Sequence, residues 1–339
     1  MKKIITLSML FVATALFAQE ETPKLSISGS VDAYYRANLT APNDENAIAP
    51  GSSFANLPGF ALGMANVIAS YEGEKTGFVA DLVFGPRGTD AIFASPMYSA
   101  SGNIVNQLYA YWNVSDAVTL TMGNFNTFLG YEVISPTANF NYSTSYLFSY
   151  GPFSHTGLKA DIALSDDFSL MLGVMNDTDL TEFNPTGDYA FGAQLGFKGQ
   201  FLNFLLDPSF TEIDFTGGFD LSDSFFLGIN AAHLTVEDDG GTFTGVALYP
   251  QLATSDAFSV GLRAEYFSET EFFGAIGTSD ADGENSVFAV TLTGSYSVEN
   301  LTIKPELRLD SASEESFIDN DLAASKSLGS FVLAAIYSF

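Results

Sequence analysis

The chain closes on Phe331-Val332-Leu333-Ala334-Ala335-Ile336-Tyr337-Ser338-Phe339, an aromatic terminal residue with Tyr337, Ala335, Leu333 and Phe331 at every second position before it. Alternation gives a strand one continuous apolar face, and such a face running to a free phenylalanine marks a strand in a membrane wall. A soluble enzyme would gain nothing from it. At the other end, Lys2 and Lys3 precede a mostly apolar run from Ile4 to Phe17, and Ala13, Ala15 and Ala18 suit a signal peptidase. That run is shorter than the roughly 20 residues a spanning helix needs. The expectation is a cleaved export signal over 1–18 and a single barrel domain over 19–339.

Past the signal no apolar run approaches spanning length, yet 47% of residues are hydrophobic, so the apolar side chains are distributed in alternating positions. Cysteine is absent, which excludes disulfides, zinc-thiolate sites and cysteine nucleophiles. Twelve Lys and Arg against 40 Asp and Glu give a formal net charge of -28, and a nucleic-acid partner would be repelled. The only histidines are His155 and His233, and neither sits in a recognisable nucleophile motif, so no enzyme is expected. Asp280-Ala281-Asp282-Gly283-Glu284-Asn285 has oxygen ligands near calcium-loop spacing but lacks the terminal bidentate Glu. It and Glu237-Asp238-Asp239-Gly240-Gly241 read as solvated acidic loops, and no cofactor or metal is expected.

Strand-like segments of about ten residues alternate with two kinds of connection. Short turns repeat one chemistry, at Ser115-Asp116, Ser165-Asp166, Ser222-Asp223 and Ser255-Asp256, where small polar side chains can bond their own backbone. Longer stretches rich in Gly, Asn, Asp, Ser and Pro fall at 37–59, 86–103, 127–152, 177–187, 269–285 and 312–326. Barrels put short turns in the periplasm and long loops outside. The fold class is therefore all-β: a transmembrane antiparallel up-and-down β-barrel of about sixteen strands, or fourteen without the 201–221 hairpin. Both termini then face the periplasm.

Alternation also separates the faces. Leu25, Ile27, Val31, Ala33 and Tyr35 share one side of the first strand, and Ser26, Ser28, Ser30, Asp32 and Arg36 share the other. A Lys or Arg at mid-depth on the lipid side would cost about 2–4 kcal/mol, so the charged side lines the lumen. The same argument turns Arg263, Glu265, Lys304, Glu306, Arg308 and Asp310 inward. These mixed-sign neighbours serve either to pair across the wall and stiffen it or to set a field on passing solutes.

The least wall-like segment runs from Gly123 to Gly157, with the third outer loop at its core over 127–152. It is long, aromatic and poor in charge, so folding into the barrel mouth would bury it better than water would. Tyr131, Glu132, Tyr142 and Tyr146 are its pore-constriction candidates. Glu132 could act there on solutes or bond backbone amides to hold the loop. His155 could gate by protonation or pack in the wall.

Gly-Tyr-Glu at 130–132, Asn-Tyr-Ser at 141–143 and Pro-Phe-Ser-His-Thr-Gly at 152–157 resemble the OmpL-like β-barrel porin-2 proteins of Bacteroidetes outer membranes. The resemblance is strongest over 104–164 and implies an outer-membrane porin. On that basis the expected function is passive diffusion of small hydrophilic solutes, with a cation preference suggested by the acidic balance. Outer-membrane lipid surrounds the wall, and an oligomer is compatible with the sequence. Two alternatives stay open, a surface-binding or adhesive barrel of low conductance and a transporter of apolar small molecules.

Overall fold

The computed structural model describes residues 24–52, 54–92, 104–238 and 240–339, and the expected export signal lies outside them. In chain order the elements are β1 (Lys24–Asn38), β2 (Gly59–Glu72), β3 (Thr76–Phe84), α1 (Pro86–Ala91), β4 (Val105–Ser115), β5 (Val118–Asn126), α2 (Tyr146–Tyr150), β6 (Ser154–Ala163), β7 (Phe168–Met175) and β8 (Ala190–Phe197). They continue with β9 (Gln200–Leu206), β10 (Phe210–Asp220), β11 (Phe225–Val236), β12 (Thr242–Ala253), β13 (Phe258–Thr270), β14 (Asn285–Val298), β15 (Leu301–Ala312), β16 (Phe317–Ile318), β17 (Ala324–Ser325) and β18 (Ser327–Ser338). Among the described residues sixteen strands close one antiparallel barrel, each bonded to its neighbours along the chain, while β16 and β17 pair apart from the wall.

The wall obeys the period of two. Leu25, Ile27 and Val31 of β1 are exposed on the lipid face, whereas Ser30, Asp32 and Arg36 are buried inside. Leu307 and Leu309 of β15 likewise face out while Lys304, Glu306, Arg308 and Asp310 are buried. In hydrocarbon every backbone group must find a partner within the protein, which is why the sheet closes. Closure occurs between β1 and β18, in a register from Ser30 opposite Ser338 to Asn38 opposite Ser330. Phe339 extends it: its N–H donates to the Gly29 carbonyl at 3.0 Å, and the Gly29 N–H donates to its carbonyl at 3.0 Å.

The turns form as the chemistry requires, with serine as the acceptor. Ser165 Oγ accepts from the Phe168 N–H at 3.2 Å, and Ser222 and Ser255 do the same for Phe225 and Phe258 at 3.1 Å. The 201–221 hairpin is present, which selects sixteen strands over fourteen. Its outer turn is held by the Asp207 N–H on the Phe210 carbonyl at 2.9 Å and the Ser209 N–H on Asp207 Oδ1 at 2.9 Å.

One irregularity positions the site. Between Val31 and Ala33 of β1 the register with β2 shifts, so that Gly63 and Met64 together oppose Asp32. The Met64 N–H donates to Asp32 Oδ1 at 3.0 Å. A Cβ at Gly63 would lie 1.6 Å from Asp32 Oδ2, so only glycine leaves room for that carboxylate.

Candidate functional site

The connection from β5 to β6, residues 127–153 and hereafter L3, turns into the barrel. Residues 141–148 are all buried, an unusual condition for a loop, whose backbone groups must then find protein partners. The inward charges of the wall supply them.

Carboxylates take the loop's N–H groups. Glu306 accepts from the Tyr142 N–H at 2.8 Å and the Ser143 N–H at 3.1 Å. Asp32 accepts from the Tyr142 hydroxyl at 2.5 Å. Glu265 accepts from the N–H groups of Tyr146 and Leu147 at 3.0 and 2.8 Å. These last two open α2, and the remaining orphan donors of that helix are also met: Ser145 N–H by Glu132 at 2.7 Å, Phe148 N–H by the Ser145 hydroxyl at 3.0 Å. On the far side of the lumen Asp214 of β10 accepts from the Gly130 N–H at 3.1 Å.

Cations take the carbonyls. Lys304 donates to Pro136 and Asn139 at 3.1 and 2.5 Å, and Arg308 to Thr144 at 2.8 Å. Arg263 donates to Glu132 at 2.8 Å, a buried ion pair between wall and loop, and to the Ser143 carbonyl at 2.5 Å. Arg87 of α1 donates to the carbonyls of Ile134 and Tyr142, both at 2.9 Å. Charge-assisted bonds of this type are each worth about 1.5–3 kcal/mol.

The sequence-derived wall residues thus have an occupation of a third kind. Asp32, Arg263, Glu265, Lys304, Glu306 and Arg308 bind L3, and Asp310 positions Arg308 through contacts of 2.8 to 3.1 Å. Arg308–Asp310 is the one ion pair made within that wall set among the described residues. Arg36 differs, donating to Asn38 at 2.8 Å and reaching no L3 atom by hydrogen bond among the described residues. Of the loop residues, Tyr142 and Tyr146 are completely buried, Glu132 is buried, and Tyr131 stacks on Tyr249 with ring centroids 4.2 Å apart. His155 is buried, with Nε2 3.0 Å from the Thr127 hydroxyl and the Phe128 ring 5.2 Å away.

Sequence reasoning passed over two parts of this arrangement. Arg87 lies in an outer loop and carried no alternation signal. Inward glycines form the second part, since a Cβ at Gly192, Gly228, Gly245 or Gly261 would collide with Phe128, Tyr131, Leu147 or Phe140, respectively, at 2.3 to 2.7 Å. These glycines are seats for loop side chains, and their inward register was the available signal. The first outer loop caps the assembly: the Ser52 carbonyl accepts from Thr144 and Ser149 hydroxyls, and Arg308 donates to the Ser52 hydroxyl at 2.6 Å. Among the described residues no group of three or more His, Cys, Asp or Glu is arranged for a metal.

L3 leaves one sector of wall uncovered by hydrogen bonds of this kind. Along β3 to β6 the lumen carries Asp81, Gln107, Tyr109, Lys159 and Asp161, with Lys159 and Asp161 paired at 2.9 Å and their side chains 18% and 19% exposed.

Three solved structures with similar folds are the outer membrane channel DcaP of Acinetobacter baumannii, an anion-selective porin from Comamonas acidovorans and Salmonella typhi OmpF in complex with daunomycin. DcaP superposes with a TM-score of 0.60 at 12% identity, covering 96% of this chain and all of its own. The Comamonas porin gives 0.61 at 10% identity, covering 94% of this chain and all of its own. OmpF gives 0.62 at 10% identity over 93% of this chain and 97% of its own. At such identities the likeness establishes the barrel fold alone. Comparison with curated proteins finds no match. The family model described as beta-barrel porin-2, OmpL-like, matches residues 24–339. With the sixteen-strand wall this locates the protein in the bacterial outer membrane, as a porin, and the chain belongs to the OmpL-like beta-barrel porin-2 family.

Proposed function

We propose that the protein is a non-enzymatic, narrow porin through which small hydrophilic solutes diffuse down their gradients, L3 filling most of the lumen and the β3 to β6 wall bounding the passage. The observation that carries this reading is the asymmetry of the inner wall. Charged and amide hydrogen bonds and the glycine seats hold the loop to β1 and to strands between β8 and β15, whereas Gln107, Tyr109, Lys159 and Asp161 remain partly accessible. An amide, a phenol and a paired charge suit hydrated or hydroxylated solutes better than apolar ones. Tyr131, Glu132, Tyr142 and Tyr146 act in this reading as the body of the constriction, setting its width by their packing. Lys159 and Asp161 pair with one another, and the buried Asp81 behind them leaves one acid of this wall without a base, which favours cations over anions.

Planar-bilayer recording of the purified protein tests the proposal. Small, steady, ohmic steps with a reversal potential on the cation side are expected under a salt gradient. Large steps would contradict the filling role of L3, and anion preference would refute the charge argument. Silence at high protein loading would favour the surface-binding alternative.

A further inference from the structure

On β4 the inward positions are Gln107, Tyr109, Tyr111 and Asn113, two phenols between two amides in alternating register. All four are partly exposed, whereas Tyr142 and Tyr146 of L3 are completely buried. Successive inward residues of a strand stand about 7 Å apart, so the two rings follow one another along the passage.

Tyr111 lies flat on the wall. Gly77 of β3 is its partner across the ladder, and a Cβ there would come within 2.3 Å of both Tyr111 Cζ and the hydroxyl oxygen. The ring therefore covers bare backbone with one face and turns the other to the lumen. Tyr109 borders a second bare stretch: Gly123 lies opposite it on β5 and Gly157 opposite Gly123 on β6, and neither offers a side chain to fill the passage. Neither phenol has a hydrogen-bond partner among the described residues. The rim of this strip is polar and fixed in place. Lys159 donates to both oxygens of Asp161, at 3.2 and 2.9 Å. Asn113 Oδ1 accepts from the Thr119 hydroxyl at 2.9 Å and Gln107 Oε1 from the Asn126 N–H at 3.2 Å, which orients both amides.

We propose that this strip is a binding site for neutral oligosaccharides, the solute class the passage serves, an inference that rests on the porin reading above. A pyranose ring has a face of C–H groups and a perimeter of hydroxyls. The C–H face suits the open faces of Tyr111 and Tyr109, and the perimeter suits the unpartnered phenols, the two oriented amides and the Lys159–Asp161 pair. Two rings in succession favour a chain of sugars over a single one. Other solute classes fit less well. An apolar molecule would strip water from these polar groups and return no hydrogen bonds. An organic ammonium would find the partly exposed carboxylate, Asp161, already taken by Lys159.

Saturation-transfer NMR on the full-length barrel in lauryldimethylamine oxide, a detergent without a sugar head group, reads weak binding directly. Maltotriose, cellotriose and mannotriose are the probes. Transfer to the C–H protons of at least one of them is expected. Tyr111→Ala should weaken that binding by about two- to tenfold, the scale of one aromatic stacking contact, while Tyr111→Phe keeps the ring and should bind nearly as tightly as the wild type. Tyr266→Ala, on the lipid face of β13, should change nothing. No transfer to any of the three sugars, or equal affinity in Tyr111→Ala, overturns the proposal. Should Tyr111→Ala fail to fold, Tyr109→Ala must show the loss instead, and unchanged affinity there refutes the site. In planar bilayers the sugar that binds should interrupt the ion current reversibly. A silent barrel that still binds it would overturn the porin reading and leave this site standing, whereas steady ion current without sugar transfer overturns the site alone.

Discussion

Glu306 on β15 and Tyr142 in L3 stand 164 positions apart in the chain, and the Tyr142 N–H donates to the Glu306 carboxylate at 2.8 Å. Ser143 adds its own N–H at 3.1 Å, and Thr293 on the adjacent strand donates to Glu306 at 2.8 Å, which fixes the carboxylate in place. Glu306→Ala would leave two buried N–H groups without an acceptor, at a cost of about 1–3 kcal/mol each. The expected outcome is a loosened L3 inside an intact barrel, read as larger and noisier single-channel conductance. Glu306→Gln keeps an acceptor and should show a smaller increase. Unchanged conductance in the alanine variant would count against an anchoring role.

The glycine seats make a steric prediction. A Cβ at Gly228 would sit 2.3 Å from the Tyr131 hydroxyl, so Gly228→Val forces Tyr131 off its stack with Tyr249. Overpacking of this kind costs about 1–3 kcal/mol. Protease cleavage within L3 should accelerate in Gly228→Val, while the barrel keeps its heat-modifiable mobility on gels. Ile229→Val, facing lipid one residue on, should match the wild type.

The wall was readable in the chain because lipid enforces its pattern. Leu25, Ile27 and Val31 against Ser30, Asp32 and Arg36 is a division that no other arrangement of β1 would tolerate. The inward set of charges was legible for the same reason. Their purpose was not, because the partners are backbone atoms far along the chain: Lys304 meets carbonyls 165 and 168 positions away. Main-chain carbonyls carry no residue identity, so the pairing has no trace in the sequence. Asp214 shows the same limit, since its inward register was available but the Gly130 N–H it accepts from lies 84 positions away.

The seam of the barrel depends on its terminal residue. Removing Phe339 deletes both 3.0 Å backbone bonds to Gly29, each contributing about 0.5–1.5 kcal/mol in water and more where lipid offers no substitute partner. The deletion variant should refold into detergent micelles in lower yield and lose its heat-modifiable form at lower temperature. Phe339→Ala keeps the bonds and loses the exposed ring, so its stability in micelles should fall between the two. Equal yields for all three chains would show that the seam is held by the Ser30 to Asn38 register alone.

Asp179 ties the fourth outer loop to the end of L3, its carboxylate accepting from the Phe153 and Ser154 N–H groups at 2.9 and 2.7 Å. Burial pushes its pKa up to about 7, outweighing those two bonds, and Asp207 nearby adds to the rise. A carboxyl raised in the folded state binds its proton more tightly there than in the open chain, so docking is fully supported below about pH 4 and weakens as pH climbs through about 7. Cleavage by a protease within 176–189 should therefore be slow at pH 5 and faster at pH 8, after correction for the enzyme's own pH profile and with EDTA present throughout. Asp179→Asn retains an acceptor for both N–H groups and cannot titrate, so its cleavage should not change across that range. Faster cleavage of the wild type on acidification would reverse the sign and exclude Asp179 as the group responsible.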